Sequence, residues 1–304
     1  MGFRRRTASM GRAALLAGAT LAATAILVAG STAFVYEPPA VPTMTATPPA
    51  PRRQPTTPTF TRSQRDDLTR ALRRYLGGRA GDLAISVRDL STGLSYSYGG
   101  GLRTATASIV KVDIVMALLL QAQHEGRALT STEKALAERA IEVSDNDAAS
   151  ALWHAIGGAD GLASANGKLG LRDTEPGTGG SWGSTTTSAA DQIRLLTALT
   201  SADSPLASAN RRYLRRLMGD VTQEQAWGVS AAGTGAELKN GWLPRERHGG
   251  AWTVNSIGIV RAGSRTYLLA VLSERGATLR DGVEAVEHAC KTVATALARA
   301  SIET

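Results

Sequence analysis

The segment that decides the fold lies at residues 108–120 and reads SIVKVDIVMALLL. It is apolar on nearly every helical face, which predicts a buried helix rather than a surface helix. Ser108 stands at its first turn, where backbone N–H groups are free and the helix dipole is positive. Lys111, three residues later, falls on the same face. We therefore predict that Ser108 and Lys111 lie together at the start of a core helix.

This pairing suits nucleophilic catalysis. A lysine accepts a proton only when it is neutral, and burial or a second nearby cation lowers its pKa far enough for that. A second Ser-x-x-Lys match occurs at residues 131–134. There, Thr130 and Glu133 have the spacing of a capping box, so that segment predicts the start of an ordinary polar helix.

Two further short motifs follow in the chain. Ser144-Asp145-Asn146 stands between two predicted helices, and Lys239-Asn240-Gly241 ends a predicted strand. Each has a plainer interpretation when taken alone. Residues of the first type cap helices, and Asn-Gly is a hairpin turn signal.

Taken in order, the three motifs resemble those of the penicillin-recognising serine acyl-enzymes, and the chain is similar to class A β-lactamases. Lys-Asn-Gly stands in place of the usual Lys-Thr-Gly. The resemblance implies that Ser108 attacks an amide carbonyl and that Lys111 accepts its proton. It also implies that Ser144 passes a proton towards the leaving nitrogen, that Asn146 binds the substrate amide and that Asp145 is structural.

The third motif completes the implied site. The resemblance assigns the Lys239 ammonium to a substrate carboxylate and places Asn240 beside it. Gly241 would let the substrate approach the strand. The backbone N–H of Trp242 would pair with that of Ser108 as an oxyanion hole.

Glu175 is the best candidate for the base that activates water to release the acyl-enzyme. In class A β-lactamases this glutamate belongs to a Glu-x-x-x-Asn pattern on an omega-shaped loop. Here Gly179 stands where the Asn would be. A plain solvated loop acid is an equally good interpretation, and slow deacylation would make the protein trap penicillin more than destroy it.

Hydrophobic periodicity outlines an α/β (α+β) fold. Strands are predicted near both ends of the chain, with a mainly helical stretch at residues 104–220 between them. The predicted strands are 83–87, 94–98, 236–239, 252–260 and 266–272, and terminal helices are predicted from 61 and from 281 to about 300. This order predicts one antiparallel sheet flanked by helices, an all-α lobe, and a pocket at the seam between them.

Three regions divide the chain. Residues 1–36 carry arginines followed by an uncharged apolar stretch, which predicts a signal peptide or membrane anchor. Residues 37–60 are rich in Pro and Thr and predict an extended linker. Residues 61–304 form the predicted hydrolase domain, so we expect an extracytoplasmic protein, secreted or anchored to the membrane by its N-terminal segment.

Charge and composition limit the kinds of partner, metal and cofactor that we expect the protein to bind. The formal net charge is +8, but residues 1–80 account for +9 and residues 81–304 for −1, which argues against a nucleic-acid partner. The four histidines are dispersed and no glycine-rich phosphate loop is present, so neither a metal nor a cofactor is predicted. Cys290, the only cysteine, falls on the apolar stripe of a helix and is predicted to be inert. Contact with the membrane is expected only through the N-terminal segment, and the protein is expected to be a monomer.

The preferred function is therefore an exported serine acyl hydrolase that acts on β-lactam-type amides through a Ser108 acyl-enzyme. A D-Ala-D-Ala peptidase or esterase, or a slowly deacylating penicillin-binding protein, would use the same acylation machinery on a β-lactam or a peptidoglycan peptide. A non-catalytic envelope binding module that retains the pocket is the alternative from another class.

Overall fold

A computed structural model describes residues 60–299, so the predicted signal segment and all but the last residue of the predicted linker lie outside the described part. The central element is a five-stranded antiparallel sheet with the order β2-β1-β7-β6-β5. Its strands are β1 Asp82–Asp89, β2 Ser95–Tyr98, β5 Thr234–Arg245, β6 Ala251–Ala262 and β7 Arg265–Gly276. A second, two-stranded ladder pairs β3 (Thr104–Ala105) with β4 (Thr186–Thr187).

Eight helices accompany these strands in the described residues. They are α1 Arg62–Leu76, α2 Val110–His124, α3 Ser131–Glu142, α4 Asn146–Ala155, α5 Gly158–Leu169, α6 Ala189–Thr200, α7 Ser208–Gly219 and α8 Leu279–Arg299. The elements α2 to α7 come between the two groups of sheet strands in the chain. The sheet is therefore completed by segments from both sides of a helical insert, as the sequence pattern predicts.

Strand β7 shows how the sheet separates two hydrophobic cores. Leu268, Ala270 and Leu272 belong to the core that contains α2 and the other helices of the insert. Tyr267, Leu269 and Val271 belong to the core beneath α1 and α8. Because successive side chains of a strand point to opposite faces, one apolar run supplies both cores.

Several local predictions are confirmed. Thr130 caps α3 with the predicted capping box, where the second Ser-x-x-Lys match falls. Helix α1 begins after Thr61, as predicted, and the structure adds a capping box there. The hairpin alternative for Asn240-Gly241 is wrong, because both residues lie inside β5 and pair with β6. The segment 107–124 is long and apolar enough to cross a membrane, yet 78% of it is buried inside the fold, as befits a core helix.

Candidate active site

Ser108 lies in a 3₁₀ turn, Ala107–Ile109, that leads directly into α2. Its side chain is partly exposed, whereas its neighbours Ala107 and Ile109 are buried. Ala107 has a φ of 48°, a left-handed conformation that is unusual for a residue with a β-carbon. Backbone strain of this kind is held only where the surroundings fix it, and it is frequent at functional sites.

Asn255 supplies much of that fixation. This fully buried side chain on β6 donates from Nδ2 to the carbonyl oxygens of Ala105 (2.8 Å) and Thr106 (3.0 Å). Its Oδ1 accepts from the backbone N–H of Ser273 on β7 (3.2 Å). The segment that enters the Ser108 turn is thus tied to the middle of the sheet.

Gly241 brings strand β5 against the same turn. A β-carbon at this position would stand 2.6 Å from the backbone nitrogen of Ser108 and 2.7 Å from that of Ile109. Contacts this short do not occur with a real β-carbon, so only glycine allows the approach. The third motif therefore touches the first through backbone atoms.

Lys111 reaches from α2 to the second motif. Its Nζ donates to the carbonyl oxygen of Ser144 (2.6 Å), to Ser144 Oγ (3.1 Å) and to Oδ1 of Asn146 (2.8 Å). These three acceptors match the three donors of an ammonium group. One helical turn separates the amine from Ser108 along the chain.

Ser144 is shared by two lysines. Nζ of Lys239 donates to Ser144 Oγ at 3.0 Å, on the hydroxyl that Lys111 approaches at 3.1 Å. Ser144 itself has a φ of 58°, which turns its side chain and its carbonyl towards the amines. The second and third motifs thus meet at one hydroxyl.

Burial decides the electrostatics of the two amines. Desolvation lowers the pKa of Lys111 to about 8, and the Asp145 carboxylate opposes that shift. Desolvation and then the charge of Lys111 lower the pKa of Lys239 well below its ordinary value. Because both amines contact the Ser144 hydroxyl, a proton on either amine disfavours a proton on the other.

The Ser144 turn is held from its outer side. Asp145 caps α4 by accepting from the backbone N–H of Ala148 at 2.8 Å, and it forms an ion pair with Arg139. The Ala148 N–H and Arg139 hold the pKa of the Asp145 carboxyl below its usual value. Asn146 begins α4 and is exposed, with its Oδ1 on the Lys111 amine.

A cleft of about 380 Å³ lies beside these groups. It is lined by Ala107, Ser108, Asn146, residues 180–184, Trp242 and Leu243. No charged side chain occurs in this lining. Its two indoles come from opposite segments, Trp182 from the loop after Glu175 and Trp242 from β5.

Comparison with known proteins agrees with this geometry. The sequence model described as "Beta-lactamase enzyme family" matches residues 128–300, more than half of the chain. This chain belongs to the beta-lactamase enzyme family. The matched range begins after Ser108 and includes the second and third motifs.

Relatives and solved structures extend the comparison. The protein named "Putative lipoprotein LppW" of Mycobacterium tuberculosis is 30% identical over 203 residues, which cover 63% of this chain and 62% of that protein. A PBP-A variant, solved as an acyl-enzyme complex with penicillin G, matches with a TM-score of 0.66 at 19% identity and covers 81% of this chain and all of that one. The TLA-3 extended-spectrum beta-lactamase matches with a TM-score of 0.69 at 16% identity over 77% of this chain and 99% of that chain. These structures show that the family member described here has the β-lactamase/transpeptidase-like fold.

Glu175 lies in a different environment from the other candidate site residues. Its backbone pairs with Thr186 through two hydrogen bonds of 2.9 Å and closes the neck of a loop, while its side chain is exposed. It is not among the residues that line the cleft. The loop itself enters the cleft further on, at residues 180–184.

The side chain of Asn240 is turned away from the cleft. It is fully buried and donates from Nδ2 to the carbonyl oxygens of Gln225 (2.7 Å) and Trp227 (3.0 Å). This corrects the expected contact between the Asn240 side chain and a substrate. Asn240 instead anchors the segment whose Trp227 packs on Trp242, with ring centroids 5.7 Å apart.

Two residues of the site escaped the sequence analysis. Asn255 carried a signal, since it is a polar residue within the otherwise apolar run of a buried strand. Trp182 carried a weaker one, a large indole within a loop of small residues. Neither belongs to a motif, so the order of motifs did not point to them.

Two further predictions concern metal binding and the reactivity of Cys290. In residues 60–299, no group of three His, Cys, Asp or Glu side chains is arranged to hold a metal ion. Cys290 is fully buried on α8, in the core beneath α1 and α8. Burial there raises the pKa of its thiol. A buried, protonated thiol is a poor nucleophile.

Proposed function

We propose that this protein is a serine acyl hydrolase that opens β-lactam-type amides through an acyl-enzyme at Ser108. The observation that carries the proposal is the position of Ser144 Oγ, 3.1 Å from the Lys111 amine and 3.0 Å from the Lys239 amine. A hydroxyl between two amines of lowered pKa is suited to relay a proton. The partly exposed Ser108, at the start of the helix that carries Lys111, is suited to use that relay.

The proposed acylation moves one proton in a circuit. Ser108 Oγ attacks the carbonyl carbon, and its proton passes to the neutral Lys111 amine. The backbone N–H groups of Ser108 and Trp242 hold the developing oxyanion. When the C–N bond breaks, Ser144 gives its proton to the leaving nitrogen and is reprotonated from the lysine pair. Water then adds to the ester, and the acid leaves as Ser108 recovers its proton.

The two remaining polar groups suit substrate binding. Asn146 is exposed at the cleft, where its amide can meet the amide of an acyl side chain. Lys239 contacts Ser144 Oγ and, in its protonated form, would supply the positive charge that a substrate carboxylate requires. A β-lactam carries both an amide and a carboxylate, and so does the end of a peptidoglycan peptide.

A slowly deacylating penicillin-binding protein or D-Ala-D-Ala peptidase is the second candidate. It is favoured by the cleft lining, which contains no acidic side chain, and by the exposed side chain of Glu175. Hydrolysis of the ester needs a base to activate water. Without one at the ester, acylation would proceed and release would lag.

We further propose that the domain acts outside the cytoplasm. The apolar segment after the N-terminal arginines supports this location, as does the lipoprotein name of the mycobacterial relative. The chain spans about 62% of the length of that relative.

The test follows the full chain during incubation with a penicillin. Intact mass reports a covalent adduct, and loss of the β-lactam absorbance reports turnover. We expect an adduct in wild type and none in Ser108→Ala. Rapid turnover that is lost in Glu175→Gln, with a lasting adduct, would make Glu175 the deacylating base.

The other outcomes separate the candidates. An adduct that persists equally in wild type and in Glu175→Gln supports the slowly deacylating alternative. The absence of both an adduct and β-lactam turnover in folded wild type, and of an adduct in folded Glu175→Gln, overturns acylation and leaves the non-catalytic binding module.

A further inference from the structure

Trp182 covers the Lys111 amine from the loop side of the cleft. The centroid of its ring lies 5.0 Å from Lys111 Nζ, within the range of a cation–π contact. The indole is partly exposed and begins a short 3₁₀ turn, Trp182–Ser184, that lies against the Ser108 turn. Trp182 thus stands between the amine and the open cleft.

A chain of hydrogen bonds fixes the indole in this place. Its Nε1 donates to Ser150 Oγ at 3.1 Å, and Ser150 Oγ donates to the carbonyl oxygen of Asn146 at 2.9 Å. Asn146 in turn accepts from Lys111. The ring is therefore attached to the same helix, α4, that provides one of the acceptors of the amine.

The charged and titratable groups around Lys111 come from other directions. Lys239 approaches from β5, and Asp145, already paired with Arg139, lies behind the Ser144 turn. The loop at residues 177–184 contains no charged residue at all. On this side, the face of the Trp182 ring is the group that stabilises positive charge on the amine.

We propose that Trp182 is a positioning residue that tunes the protonation of Lys111, because its ring face stabilises the protonated amine where the loop offers no carboxylate. The catalytic use of this tuning rests on the proposed function. When Lys111 has taken the Ser108 proton, the ring stabilises the charge until that proton passes to Ser144. By favouring the protonated amine, the ring also reduces the fraction of neutral Lys111 at low pH.

In Trp182→Leu, the leucine keeps an apolar side chain over the amine, so the burial that lowers the pKa of Lys111 is retained and the loss of the ring face decides the sign. A contact that favours the charged form raises the pKa of an amine, so removal of the ring lowers it. We expect Trp182→Leu to shift the Lys111 titration downward by about half to one pH unit. The rise of acylation rate with pH would move to lower pH by the same amount.

The experiment reads the amine itself and then the reaction. The full chain has five lysines, so selective ¹³Cε labelling gives a spectrum in which Lys111 is assigned from its loss in Lys111→Arg. Its titration is measured in wild type, Trp182→Leu, Trp182→Phe and Ser150→Ala. Trp242→Leu is the matched control, because that indole lines the same cleft from β5 without the contact to Lys111.

Acylation by a fluorescent penicillin is then measured against pH for the same proteins. We expect the lower midpoint in Trp182→Leu, and a midpoint close to that of wild type in Trp182→Phe, which keeps a ring face. Trp242→Leu is expected to keep the midpoint, whatever its maximal rate. Ser150→Ala, which removes the acceptor that holds the indole, is expected to lower the midpoint by less than Trp182→Leu does.

Two results would overturn the inference. One is a Lys111 titration in folded Trp182→Leu that coincides with that of wild type. The other is an equal shift in Trp182→Leu and Trp182→Phe, which would assign the effect to the lost indole N–H. Wild type that shows the expected titrations but neither a penicillin adduct nor penicillin turnover would refute the proposed function and leave the role of the ring intact.

Discussion

Ser144 combines a proposed catalytic role with an unfavourable backbone conformation. Its φ of 58° is left-handed, and a residue with a β-carbon adopts that conformation at a cost of about 1–2 kcal/mol. The cost is tolerated because the turn aims both the hydroxyl and the carbonyl of Ser144 at Lys111.

Substitutions at this residue should separate strain from chemistry. Both Ser144→Ala and Ser144→Gly remove the hydroxyl, and we expect each to slow acylation by about 10²–10⁴-fold, the usual worth of a positioned proton donor. Only glycine relieves the strain, so the free energy of unfolding in urea should be higher for Ser144→Gly than for Ser144→Ala by about 1 kcal/mol. Equal stability of the two variants would show that the turn stores no strain.

The order of the three motifs predicted the positions of some site residues but not of others. The order placed Lys111, Ser144 and Lys239 correctly near one another, because each motif fixes its own backbone context. It could not predict the direction of the Asn240 side chain, which depends on the carbonyl groups of the distant segment at 225–227. Asn255 and Trp182 act through tertiary contacts and have no local signature.

At the scale of elements, the contact between β5 and the Ser108 turn is the critical one. A methyl group at Gly241 would stand 2.6 Å from the Ser108 nitrogen and 2.8 Å from the Thr106 carbonyl oxygen. Backbone atoms cannot move aside like a flexible side chain, so the strand and the turn would have to separate.

Gly241→Ala should therefore lower stability and activity together. We expect a loss of about 1–3 kcal/mol in the free energy of unfolding and a larger proportional loss of acylation rate, measured by urea unfolding and penicillin labelling. Gly180→Ala is the matched control in the same cleft, since a β-carbon there meets nothing within 4 Å. Equal effects of the two substitutions would refute the close approach.

Elements with a strong local signal were predictable. The capping box at Thr130 marked the start of α3, helical periodicity from residue 61 marked α1, and alternating apolar residues marked β1 and β2. Strand β5 is longer than the segment 236–239 predicted for it, because pairing with β6 extends it through residues 240–245. The ladder of β3 and β4 has two residues a side, too few to leave a periodic pattern.

At the scale of the whole molecule, stability must come from the two cores on either face of the sheet, and one of them contains a buried acid. Asp113 lies on α2 and is fully buried. The side-chain amide of Asn166 on α5, with its nitrogen towards Asp113, donates to both carboxyl oxygens at 3.0 Å. Burial and then the charge of Asp191 raise the pKa of Asp113 from 3.8 to about 8.

This acid should make the stability of the fold depend on pH. Between pH 3.8 and about 8 the folded state keeps a proton that the unfolded chain has lost, so the free energy of unfolding falls as pH rises, by up to about 1.4 kcal/mol per unit. Asp113→Asn cannot ionise, so its unfolding free energy should exceed that of wild type by an amount that grows over this window. Urea unfolding at a series of pH values measures the difference, and Asp203→Asn, at an exposed loop position, is the matched control. A difference between Asp113→Asn and wild type that stays constant with pH would show that the carboxyl is already ionised in the folded core.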